Sequence, residues 1–235
     1  MNKTTKTRHA RGFTLVELLV VIAIIAALAG LALPAILGTR KRAAATECTS
    51  NMKQVGLLLF QFSQDYGSYP SKTLAEENSR IFKNVSTGDS ANALLGQLIA
   101  SKLTKSEEIF YAKGGSPTKK KPDNVINSPA KLLQPGECGF GYVMFTGDEA
   151  LGPDSNTGLP VLVAPLESNS GGSSPKLNDE PYGGKAVYLR VDQSVRQDPI
   201  DEDTGEILIP GNLSLFERGE DTVWDDKTAD VKAPD

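Results

Sequence analysis

The chain of 235 residues is 39% apolar, carries a formal charge of −4 and contains one histidine, His9. That length suits one domain of ordinary size plus an appendage, and argues against two unrelated enzyme domains. Lys3, Lys6, Arg8 and Arg11 lie in the first twelve residues without an acid, so the remainder holds 21 basic against 29 acidic residues, a formal −8 that argues against nucleic acid as a partner.

The first element is the run RGFTLVELLVVIAIIAALAGLALPAILG, residues 11–38. From Phe13 to Gly38 it holds one charge, Glu17, and as a helix it would span about 39 Å, more than a bilayer core. One transmembrane pass is implied. The basic residues 1–12 favour a cytoplasmic start, while Arg40, Lys41 and Arg42 at the far end oppose that orientation. A charged residue at the centre of a membrane helix costs roughly 2.5–3.5 kcal/mol on insertion scales, so Glu17 marks a function by default. A secretory signal peptide with Ala27-Leu28-Ala29 as its cleavage site is the simplest competitor, but the apolar run continues well past it. A plain membrane anchor leaves Glu17 unexplained.

The helical pattern continues beyond the span. Cys48, Met52, Val55, Leu59, Phe62 and Tyr66 recur at spacings of 4 and 3, the stripe of a helix packed on a soluble domain, and Gly67 with Pro70 predicts its end near Tyr66. The whole element would be about 80 Å long, kinked or loosened at Pro34 near Gly30.

With Gly12 followed by Phe13, Thr14, Leu15, Glu17 and Leu18, and Pro34 deep in the helix, residues 11–38 closely resemble the leader and first helix of type IV pilins and type II secretion pseudopilins. The resemblance implies cleavage between Gly12 and Phe13 by a prepilin peptidase and N-methylation of Phe13. It also implies that Glu17 meets the amino terminus of a neighbouring subunit and so sets register during filament assembly. The implied partners are copies of this chain or related pilin subunits, the peptidase and an inner-membrane assembly platform. The implied location is the inner membrane, single-pass, with the body periplasmic or extracellular.

Four segments follow from these readings: a leader (1–12), a transmembrane half-helix (13–38), an amphipathic half-helix (39–66) and a soluble α+β body (67–235) with a mobile carboxy-terminal tail. In the body, Ala91–Leu103 reads as a helix capped by Asp89 or Ser90, and Ser106-Glu107-Glu108 as another helix start. The stretch GGSPTKKKPD, residues 114–123, reads as a solvated loop, with a basic docking patch as the sharper alternative. Short strands are predicted at Phe140–Phe145, Val161–Ala164, Ala186–Val191 and Glu206–Ile209, spaced for an antiparallel sheet laid over the amphipathic half-helix. The expected fold class is therefore α+β, pilin-like. GGKAVYLRVDQSVR resembles a carboxy-terminal element of large pilin-like proteins in which a strand ends in an Asp-Gly turn. Gln193 stands at the glycine, which predicts a wider loop than a two-residue hairpin.

For chemistry, removal of the first twelve residues would leave no histidine, which excludes histidine-based triads and His-ligated metal sites, and no P-loop occurs. The chain therefore reads as no enzyme. The residues Asp198, Asp201, Glu202, Asp203, Gly205 and Glu206 have D-x-D-x-G character, and hard oxygen ligands in a glycine-containing loop suit calcium, with Asp201 and Asp203 the first candidates; a merely solvated acidic loop is the alternative. The family resemblance adds that major pseudopilins bind calcium near their carboxy terminus. Cys48 and Cys138 form no C-x-x-C pair; they could form one disulfide in an oxidising compartment, or Cys48, on the buried stripe, could pack as a small apolar core residue. The reading is a pilin-like subunit of a secretion pseudopilus or surface pilus. The alternative from another class is a membrane-anchored periplasmic binding or enzymatic domain that borrowed a pilin-type leader.

Overall fold

The computed structural model describes residues 14–82, 85, 88–113, 120–167 and 170–235. Helix α1, Leu15–Tyr66, runs for 52 residues and passes through Pro34 without a break in its helical assignment. It contributes to two compact units, one up to Arg40 and one from Lys41 to Asp235.

In the first unit every described residue is exposed, including Leu19, Ile22, Ile25, Leu31 and Leu33. The most apolar 18-residue window of α1 has a mean hydropathy of 2.8, and none of it is buried. By length and composition this segment can cross a membrane, where its apolar side chains would face lipid.

The second unit is the body. The carboxy-terminal part of α1 buries Ala44, Ala45, Cys48, Met52, Val55, Gly56, Leu59, Phe62 and Ser63, which includes the predicted stripe up to Phe62. Tyr66 is only half-buried and stacks its ring 4.4 Å from that of Phe62. Gly67 then takes φ +84°, and its N–H closes the last turn on Ser63 O at 2.8 Å, so the helix stops where the glycine was read to stop it.

Helix α2, Lys72–Glu77, was not expected from the sequence. Ser71 Oγ accepts from Leu74 N–H at 3.0 Å, and Asp148, 75 residues on, accepts from Thr73 N–H at 2.9 Å and from its hydroxyl at 2.7 Å. A carboxylate at a helix start is favourable because it satisfies free N–H groups. Helix α3, Ala91–Ala100, has the predicted cap, Ser90 Oγ accepting from Ala93 N–H at 3.3 Å. It ends three residues early because Lys102 adopts φ +65° and Leu103 N–H returns to Leu98 O at 3.3 Å, a turn that closes the helix end. Glu107 and Glu108 open only a 3-10 turn, Glu108–Phe110.

The main sheet has five antiparallel strands in the order β4-β3-β2-β1-β7: β1 Gly141–Phe145, β2 Pro160–Ala164, β3 Lys185–Arg190, β4 Val195–Pro199 and β7 Ala229–Lys232. β1 and β2 are buried along their whole length, as central strands with both faces covered must be. The protein is thus α+β. The predicted strand at Glu206–Ile209 forms instead a small separate hairpin, β5 Leu208–Ile209 with β6 Leu213–Ser214.

Two departures from the sequence reading stand out. The carboxy-terminal residues are not a mobile tail: β7 pairs with β1 through Tyr142↔Lys232 to Phe145↔Ala229, and Trp224 is buried with its indole N–H donating to Leu215 O at 2.7 Å. The pattern was missed because a four-residue edge strand, ADVK, carries too few apolar positions to show a period. β4 was also missed, since its side chains are mostly exposed and polar. The loop between β3 and β4 does avoid a two-residue hairpin. Gln193 N–H donates to Arg190 O at 3.0 Å and Arg190 N–H to Ser194 O at 2.9 Å, which makes a three-residue loop with Gln193 in the left-handed position at φ +65°.

Where α1 crosses this hairpin, a Cβ on Gly56 would lie 2.6 Å from Gln193 Oε1 and 3.1 Å from both Leu189 methyl carbons. The absence of a side chain at residue 56 leaves the ends of the Gln193 and Leu189 side chains in place; a Cβ there would require them to shift. Gln197 Nε2 donates to Thr49 Oγ1 at 3.0 Å, a second tie between β4 and α1.

Candidate functional site

The predicted processing position, Gly12 and Phe13, lies outside the described residues. Glu17 is described. It sits in the first turn of α1, where its Oε2 accepts from Thr14 N–H at 2.9 Å and Thr14 hydroxyl at 2.7 Å, while Thr14 Oγ1 accepts from Glu17 N–H at 3.2 Å. This reciprocal pattern is a capping box, T-x-x-E, formed by Thr14-Leu15-Val16-Glu17. A capped Glu17 is less anomalous than an isolated charge, because the backbone itself supplies a partner. Its other oxygen, Oε1, makes no hydrogen bond among the described residues, so the carboxylate keeps capacity for a further donor.

The two cysteines are free thiols and both are buried. The disulfide left open by the sequence is absent. Cys48 lies in the α1 stripe beside the Tyr182 hydroxyl, and Cys138 Sγ donates to Phe140 O at 3.7 Å. Burial pushes each thiol up to about 12, so both act as small apolar residues.

Asp201, one of the two candidate calcium ligands with Asp203, is engaged in its own turn. Asp201 Oδ1 accepts from Asp203 N–H at 3.1 Å, Thr204 N–H at 2.8 Å and Thr204 hydroxyl at 3.0 Å. That oxygen therefore organises the turn leading to Gly205, which has φ +72°. Within the predicted basic loop, residues 114–119 lie outside the described residues, and Lys120 is not a free docking charge: its Nζ bonds Glu137 Oε1 at 2.7 Å and reaches Asp123 Oδ2 at 3.5 Å. Two further acids, Glu107 and Glu137, have fully buried side chains. Nothing in their local pattern distinguishes them from surface glutamates.

Comparison with known proteins bears on the amino-terminal segment above all. Residues 7–33 match the prokaryotic N-terminal methylation motif. Over 68 residues, 29% of this chain and 52% of the relative, the chain is 44% identical to the type IV wide pilus major component PilA4 of Thermus thermophilus. It thus spans about half of that relative's length. It is 27% identical to the type II secretion system core protein G of Aeromonas hydrophila over 64% of this chain and 92% of the relative. For the core protein G of Klebsiella pneumoniae the identity is again 27%, over 63% and 91%. No solved structure matches significantly. These similarities are to structural pilus and secretion components, not to enzymes. The chain carries the prokaryotic N-terminal methylation motif and is related by sequence to type IV pilins and type II secretion core protein G.

Proposed function

We propose that this chain is a pilin-like filament subunit, made as an inner-membrane precursor, cut between Gly12 and Phe13 by a prepilin peptidase and N-methylated on Phe13. Its body, exposed to the periplasm or the cell exterior, then assembles with copies of itself or related pilin subunits into a type II secretion pseudopilus or type IV pilus-like filament, on an inner-membrane assembly platform. The observation that supports this reading best is the coincidence of three features on one segment: the methylation motif over residues 7–33, an unburied apolar helix and a carboxylate, Glu17, in its first turn.

The role of Glu17 follows from electrostatics. In a low-dielectric surrounding an unpaired carboxylate is penalised by several kcal/mol, and a cation placed beside it removes much of that penalty. The cation in this reading is the new amino terminus of a neighbouring Phe13, which exists only after cleavage. Thr14 holds Oε2 and leaves Oε1 to receive the amine, so one axial offset between subunits is preferred. Calcium at Asp201 and Asp203 is not part of this proposal, because Asp201 Oδ1 is committed to its own turn.

Mass spectrometry of the amino terminus, on protein from membranes with and without the peptidase, tests the reading. A methylated Phe13 terminus that depends on the peptidase is expected. A terminus at Gly30, or an intact Met1 in peptidase-containing cells, would refute it.

A further inference from the structure

Three carboxylates from separate loops meet in the body between α3 and β1. Glu107 precedes the 3-10 turn, Asp123 lies in the following loop and Glu137 stands four residues before β1. One carboxylate oxygen of each lies within 4.8 Å of the others. Glu107 and Glu137 have no exposed surface, while Asp123 is exposed and opens the group to solvent.

Their hydrogen bonds engage all but one of the six oxygens. Glu107 Oε1 accepts from Leu133 N–H at 3.0 Å, Glu137 Oε2 from Gln134 N–H at 2.8 Å and Asp123 Oδ1 from Val125 N–H at 2.9 Å. Lys120 Nζ, whose side chain is half-exposed, serves Glu137 Oε1 and Asp123 Oδ2. Glu107 Oε2 is shielded from water and has no partner among the described residues. A buried carboxylate oxygen in that state is strongly unfavourable. Burial holds the Glu107 carboxyl above the usual carboxylate range, and the charges of Glu137 and Asp123 push it the same way.

Three carboxylates facing one ammonium carry a net charge of −2. A proton would neutralise Glu107 alone, whereas a divalent cation would offset two of the three carboxylate charges and give Oε2 a partner. The ligand set is all oxygen, which suits a hard ion. Oxygens bound to one calcium at about 2.3–2.6 Å lie at most about 5 Å apart, so the observed spread fits a single ion. We propose that Glu107, Asp123 and Glu137 form a divalent-cation site suited to calcium, distinct from the Asp201 loop. Lys120 occupies its mouth and swings into solvent when the ion enters. The ion ties together the three loops ahead of β1, one of which also holds α1 through Asn51 Nδ2 donating to Tyr111 O at 3.0 Å.

The test uses the full chain in detergent micelles, stripped with a chelator and titrated with calcium chloride or magnesium chloride, with bound metal and Tm both measured. One calcium per chain is expected, with a Kd of about 10⁻⁴–10⁻³ M, a rise in Tm and weaker binding of magnesium. Asp123→Asn, at an exposed position that keeps the fold, and Glu107→Gln should each weaken calcium binding at least about tenfold, while Asp201→Asn leaves it unchanged. Lys120→Met should tighten it by removing the competing ammonium. The proposal is overturned by the absence of bound calcium at millimolar concentration, by unchanged affinity in Asp123→Asn, by loss of binding in Asp201→Asn, or by a Lys120→Met protein that binds no more tightly than wild type.

Discussion

Gln193→Gly should stabilise the body by about 1 kcal/mol. In the β3–β4 loop Gln193 adopts φ +65°, and an L-residue in that region carries a cost of about 1–2 kcal/mol that glycine avoids. Among the described residues its Oε1 is buried without a hydrogen bond, and its Nε2 makes only long contacts, 3.5 Å to the Tyr69 hydroxyl and 3.4 Å to Val191 O. Relief of an unsatisfied buried acceptor contributes about 1 kcal/mol or more. Against these gains stand the lost packing of the side chain over α1 and about 0.4–1 kcal/mol for the greater freedom of glycine in the unfolded chain. The balance corresponds to a rise in Tm of about 2–4 °C for a body of this size. Urea unfolding followed by the fluorescence of Trp224, the one tryptophan of the chain, reads the change directly. A Gln193→Gly protein less stable than wild type would show that the contact with α1 outweighs the backbone strain. The same geometry predicts coupling: Gly56→Ala, whose new Cβ would meet Gln193 Oε1 at 2.6 Å, should be better tolerated in the Gln193→Gly background than alone.

Other outcomes are equally open to measurement. Both cysteine thiols, held protonated by burial with values pushed up to about 12, should resist alkylation at pH 8 in the folded protein and react at once in denaturant; fast labelling of the folded state would contradict their burial. Val231→Ala, at a buried position of β7, should cost about 1–3 kcal/mol in urea unfolding, and no cost would mean that the carboxy-terminal strand is not part of the folded sheet. Glu17→Val should leave membrane insertion and peptidase processing nearly intact but lower incorporation into filaments when it is the only copy; normal incorporation would remove the register argument.

Legibility in the sequence followed the strength of the local signal. The long helix could be read to its last residue because its stripe is periodic over five turns and Gly67 supplies the left-handed residue that closes it. Three of the four predicted strands, those of the central sheet, are runs of consecutive apolar residues bounded by turn residues. Edge strands gave no such signal. β4 is largely exposed, and β7 is four residues long, so their pairing rests on partners far away in the chain. Acidic groups show the same limit. Asp201 and Asp203 look like ligands because they are close in sequence, yet Asp201 serves its own backbone. Glu107, Asp123 and Glu137 look unremarkable because they are 14 to 30 positions apart, and only folding brings their oxygens within 4.8 Å.

What the amino-acid sequence determined alone is the amino-terminal segment: apolarity over a membrane-length run, a capping box at Thr14 and Glu17 and a glycine-phenylalanine junction are all properties of neighbouring residues. They are set by short-range chemistry and survive without any tertiary contact. The tertiary structure decided everything that depends on long-range approach. It left the thiols of Cys48 and Cys138 unpaired, turned a supposed tail into a sheet strand, let α1 close on the β3–β4 hairpin at Gly56 and buried two glutamates beside an aspartate. Burial and the meeting of like charges are created by chain folding, and no local pattern encodes them.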